Sequence, residues 1–189
     1  MKPRILLTAW ILGSTCACMH ESAIHSNEIL DERSGISVAA LHEPIEFVQS
    51  EGIAVGKRAS FAYLGPVEWD RMGDVRYGLW LHVAPGNDKP VADIHTDSAV
   101  RVMLEDGPWT LTTLADPPQL GAEPYRTQVS WGQVAYFQLD AEMLKRLAAN
   151  RIVSLDLLGA DGSVVHFTTP LDTRPTLAAY AQSRHITDD

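Results

Sequence analysis

Three histidines fall inside stretches that read as strands: His82, His95 and His166. Two carboxylates, Asp93 and Asp97, flank the second of them. Imidazole nitrogen and carboxylate oxygen are ligands for divalent metals, and the same groups serve as general acids and bases in hydrolysis. Asp93, His95 and Asp97 alternate, so a strand running through them puts all three on one outward face with Arg101 and Glu105. Ligands two apart on a strand sit roughly 7 Å apart, too far to share one ion without a bend. A metal-dependent hydrolase would need three of these five residues within about 4–5 Å of a common point. The competing reading is a solvated polar face, and the sequence assigns no catalytic residue, metal or cofactor.

Other apparent motifs fail on spacing. His20 and His25 are five apart, not the four that put two histidines on one helical face of a zinc protease. Gly52 and Gly56-Lys57-Arg58 have three residues between the glycines where a phosphate loop has four, and Arg58 stands where a hydroxyl must meet magnesium. Asp140 and Glu142 read as a helix cap and a partner for the helix dipole. There is no Gly-x-Ser-x-Gly elbow and no dinucleotide fingerprint. The two cysteines are Cys16 and Cys18, so nothing downstream offers a thiolate nucleophile, a thiolate metal site or an internal disulfide.

Those cysteines close a distinctive start. Lys2 and Arg4 precede the uncharged run Ile5 to Leu12, and Gly13-Ser14-Thr15-Cys16-Ala17-Cys18 follows with small residues. This is the order of a bacterial export signal. Thr15-Cys16-Ala17-Cys18 resembles the lipobox of bacterial lipoproteins, with Thr15 in place of the usual leucine. The resemblance implies a signal peptide over 1–17 and lipid attachment at Cys18. Met19, which is not aspartate, then points to the outer membrane, facing the periplasm. Two alternatives stay open: lipidation at Cys16, and ordinary cleavage that leaves a soluble periplasmic or secreted protein. Residues 18–34 read as a lipidated N-terminus and polar tether, and 35–189 as a single β-rich domain.

Composition fits that plan. Of 189 residues, 46% are hydrophobic and 21% charged, enough for a real core. The net charge is −9, and without residues 1–17 it becomes −11 from 13 basic and 24 acidic side chains. Such a surface repels nucleic acid and anionic lipid heads. The partners expected are therefore a membrane, through the anchor, and an envelope protein.

The elements that must position any site are mostly strands. Val75, Tyr77, Leu79, Leu81 and Val83 alternate with Arg76, Gly78, Trp80 and His82, which predicts one core face and one outer face carrying Trp80 and His82. Gly65-Pro66 and Met72-Gly73 read as turns, Asp106-Gly107 as a hairpin. A helix is expected from Asp140 to Asn150 and another after Thr173-Arg174-Pro175. The fold expected is mainly β, a β-sandwich or curved antiparallel sheet, with one short helix between late strands and one at the C-terminus. In a general way the chain resembles uncharacterised exported proteins of Gram-negative bacteria, through Met72-Gly73 with Tyr77 to Leu81 and the unit from Tyr136 to Phe167. That resemblance implies no activity. Three functions stand: a non-catalytic interaction or accessory module with an exposed apolar patch around Trp80, a small-ligand carrier or sensor with a cavity between sheets, and the metal-dependent hydrolase.

Overall fold

A computed structural model of the chain describes residues 26–50, 58–86, 92–97, 99–127, 129–159 and 161–186. The export signal with Cys16 and Cys18, His20 and His25, and the Gly52–Lys57 stretch lie outside them. Ten strands and two helices form in the order β1 (Ser26–Asp31), β2 (Ile36–Leu41), β3 (Ile45–Gln49), β4 (Phe61–Arg71), β5 (Asp74–Ala84), β6 (Val100–Leu104), β7 (Gly107–Thr110), β8 (Gln133–Leu139), α1 (Ala141–Ala149), β9 (Ile152–Leu158), β10 (Val164–Thr168) and α2 (Arg174–Ser183). Every strand pair is antiparallel.

The architecture is one strongly curved sheet. On one side β4 pairs with β5 along its whole length. On the other it pairs first with β3, at residues 61–64, and then with β2, at residues 67–70. From β3 the ladder runs through β10, β9 and β6 to β7. Beyond β7 the chain turns back to β8: Leu114 N–H donates to the Tyr136 carbonyl at 2.8 Å, and Gln138 N–H donates to the Thr112 carbonyl at 2.8 Å. Since β8 pairs with β5, the hydrogen bonds return to β4 and the sheet closes on itself. The inner face is filled by Phe47, Leu64, Leu81, Phe137, Leu155 and Phe167, all essentially inaccessible. Each such side chain stabilises the fold by roughly 1.5–3 kcal/mol of apolar burial.

Gly65-Pro66 is not a turn. Both residues lie in the middle of β4, where the neighbouring strand changes from β3 to β2. Proline donates no hydrogen bond, and here the strand edge has no ladder partner that would need one. The turn at Met72-Gly73 is real: both residues have positive φ (58° and 92°), the two-residue type that matches strand twist. Part of the stretch expected as a tether is strand. Residues 26–31 form β1, paired residue for residue with β2 from Ser26↔Leu41 to Asp31↔Ile36. Its exposed, non-alternating side chains hid it in the sequence.

Both helices stand where expected. Asp140 caps α1, its carboxylate accepting the Met143 N–H at 2.7 Å, and Arg146 in the last turn forms a two-pronged bond to Asp106 at 2.8 and 2.9 Å. Thr173 precedes α2, but its hydroxyl accepts the buried Ile152 N–H at 3.0 Å and does not cap its own helix. Tyr180 reaches from α2 to donate to the Ala39 carbonyl at 3.0 Å. The helices contact each other, and each buries a narrow apolar face, Leu144 and Leu147 on α1, Leu177, Tyr180 and Ala181 on α2. No helix among the described residues is long and apolar enough to cross a membrane.

Candidate functional site

The five candidate metal and acid–base residues are not brought together. Residues 92–97 form turns, and β6 begins only at Val100, so Asp93, His95 and Asp97 never share a strand face. Asp93 accepts the His95 N–H at 3.0 Å, and Asp97 accepts the Thr113 N–H at 3.2 Å. Both carboxylates shape the loop. His166 lies on β10 with Nδ1 2.9 Å from Asp156, and Ser154 donates to the same carboxylate oxygen at 3.1 Å. This looks like the orienting half of a triad, but the hydroxyl is engaged by the carboxylate and not by the imidazole. Among the described residues no three His, Cys, Asp or Glu side chains are grouped to hold a metal ion.

Trp80 and His82 share a face, as their alternation requires, but that face is not open. Trp80 is 0% and His82 1% exposed. The chain between β7 and β8 crosses this outer face of β4, β5 and β8 as a strap. Glu123 in the strap accepts hydrogen bonds from Trp80 Nε1 at 3.1 Å and from the Tyr136 hydroxyl at 2.6 Å. Tyr125 inserts beside Trp80, with ring centroids 4.9 Å apart. The expected exposed patch around Trp80 is therefore corrected: from Gly78 to Ala84 both faces of β5 are covered, one by the interior and one by the strap.

Tyr125 also repairs the split in the sheet. Its hydroxyl donates to the Pro66 carbonyl at 2.6 Å and accepts the Leu41 N–H at 3.1 Å. Gly65 makes the room, since a Cβ there would fall 2.4 Å from the tyrosine ring. Burial pushes the phenols of Tyr125 and Tyr136 far above the usual value, so both stay neutral donors. His82 is stacked on Tyr63 with ring centroids 5.8 Å apart, and its Nδ1 is buried with no partner among the described residues. Burial pushes its imidazole below the usual value, while the Trp131 backbone and Glu123 act more weakly the other way. This cluster offers no nucleophile and no open substrate position. It is a structural clamp built from groups that elsewhere do chemistry.

The open surface lies at the ends. A cleft of about 470 Å³ opens where the β1–β2 and β4–β5 turns meet the strap, lined by Arg33, Arg71, Arg76 and Trp69. None of these residues stood out in the sequence. Two of them were within reach: Met72-Gly73 is a two-residue turn, and the pairs Trp69↔Arg76 and Arg71↔Asp74 then place Arg71 and Arg76 on the face that carries Trp69. Reading Gly65-Pro66 as a turn concealed the strand that carries Trp69 and Arg71. Glu123 and Tyr125 sit in an aperiodic segment rich in proline and glycine, and no local pattern marks them. Compared with protein-family models, with curated proteins and with solved structures, the chain has no significant match.

Proposed function

We propose that the chain is an envelope lipoprotein, held through Cys18 at the outer membrane facing the periplasm, and that its domain is a non-catalytic interaction module. The observation that carries this reading is the placement of β1. Seven residues separate Cys18 from Ser26. Fully extended they reach about 25 Å, so the domain stands close to the bilayer. Its acidic surface is not drawn onto anionic headgroups. Beyond the tether, β1 pairs with β2 on one side and with no described strand on the other. Ile29 and Leu30 on it are 51% and 61% exposed. An unpaired strand edge with apolar side chains is a place where another chain adds on. The closed sheet has a filled interior, which gives no support to a ligand cavity between sheets.

Membrane fractionation tests the reading. The wild-type chain floats with the membranes in a density gradient, and Cys18→Ser moves it to the soluble fraction. A wild-type chain that is already soluble overturns it.

A further inference from the structure

We infer that the cleft at the β1–β2 and β4–β5 turns binds the phosphate monoester of a hydroxyl-bearing small molecule, a sugar phosphate being the simplest case. The inference goes beyond the tethering proposal and does not depend on it. It rests on where unpaired positive charge converges: Arg58, Arg101, Arg126 and Arg151 also make no ion pair among the described residues, but Arg33, Arg71 and Arg76 line one cleft. In a chain of net charge −9, most cations near the helices are matched: Lys145 with Glu142, Arg146 with Asp106, Arg174 with Asp172 and Glu105, and Arg184 with Glu28 and Glu68. Arg33, Arg71 and Arg76 are exposed, converge on one cleft, and have no ion pair within 4 Å among the described residues. Guanidinium groups match phosphate oxygens with paired N–H donors, and three of them match a dianion.

The walls are set in advance. Asp31 accepts the Ser34 N–H at 3.2 Å and the Ser34 hydroxyl, which fixes the turn that carries Arg33. Its other oxygen accepts the Gly121 N–H at 3.3 Å, which ties the strap segment carrying Asp116 and Pro117-Pro118 to the same point. Trp69 forms part of the cleft, its ring laid so close over β5 that a Cβ at Gly78 would fall 2.3 Å away. The Trp69 indole N–H is buried and has no acceptor in the described protein. Asp74 and Asp116 share the cleft without pairing to its arginines. Facing a bare anion they repel it. Facing a sugar phosphate they accept its hydroxyl groups. The cleft lies at the Asp31 end of β1, about 17 Å by strand rise from Ser26, where the tether enters.

The test is calorimetric titration of the full chain with glucose 1-phosphate, inorganic phosphate and glucose at low salt. Glucose 1-phosphate binds most tightly, and Arg71→Gln/Arg76→Gln weakens it at least tenfold, while Arg101→Gln on β6 leaves it unchanged. Asp74→Asn/Asp116→Asn raises the affinity for inorganic phosphate and lowers that for glucose 1-phosphate. If the double arginine variant does not fold, Arg33→Gln, in an exposed turn, serves in its place. Phosphatidic acid vesicles separate the two sources: binding to vesicles that the arginine variant abolishes assigns the phosphate to a lipid headgroup, and titration by glucose 1-phosphate alone assigns it to a soluble ester. No binding of any phosphate probe at millimolar concentration overturns the inference, as does an equal loss in Arg101→Gln.

Discussion

Replacing Tyr125 with phenylalanine isolates the contribution of one hydroxyl to the closure of the sheet. The ring keeps its place between Gly65 and Trp80, so no cavity opens. What disappears is the bridge between the Leu41 N–H and the Pro66 carbonyl. Leu41 and Pro66 are both buried, in the gap where β4 changes partner. Each orphaned group costs about 1–3 kcal/mol, so the pair predicts a loss of about 2–6 kcal/mol. With a urea slope of about 2 kcal/mol per molar, the unfolding midpoint drops by about 1–3 M at unchanged slope. Amide hydrogen exchange gives a second readout: the Leu41 N–H, slow in the wild type, becomes one of the faster amides of β2. A midpoint shift below about 0.3 M together with unchanged protection at Leu41 would refute the bridge, because orphaned buried groups at that cost cannot go unnoticed.

Two further perturbations follow from the same face. Gly65→Ala puts a methyl into the Tyr125 ring and destabilises by about 1–3 kcal/mol, read by urea unfolding; a neutral result means that the strap does not pack where described. His82 gives a pH dependence. Its folded pKa lies below the unfolded value of about 6.5, so the unfolded chain takes up more protons just below that pH. Its contribution to stability is full above about pH 6.5 and declines as the pH falls through that value toward the folded pKa. Replacing it, in His82→Leu, flattens the stability profile between about pH 7 and 5, and parallel profiles for the two proteins would exclude the effect.

Local signals carried much of the fold. Alternation from Val75 to Val83 marked β5, Asp140 marked the start of α1, and Arg174-Pro175 marked α2, because each depends on neighbours within a few residues. Long-range accommodation was not legible. Proline at position 66 reads as a break unless one knows that the adjacent strand changes there. His82 and Trp80 read as outward because alternation reports two faces and cannot report that a distant loop covers the second. The strap is held by a few isolated residues, Gly121, Glu123 and Tyr125, and isolated anchors leave no period. β1 has both faces largely in solvent, so its sequence carries no core pattern. The metal reading of Asp93, His95 and Asp97 failed for a related reason. Asp93 and Asp97 each accept a backbone N–H in a turn, a role that short carboxylates play as readily as they bind cations.

The lipid anchor underlies the proposed function, and the intact mass of the protein extracted from membranes tests it most directly. The account predicts a chain that begins at Cys18 and carries a diacylglyceryl group with a further acyl chain, an increment that Cys18→Ser abolishes. A chain of unmodified mass, whether it begins at Cys18 or keeps its leader, would contradict it.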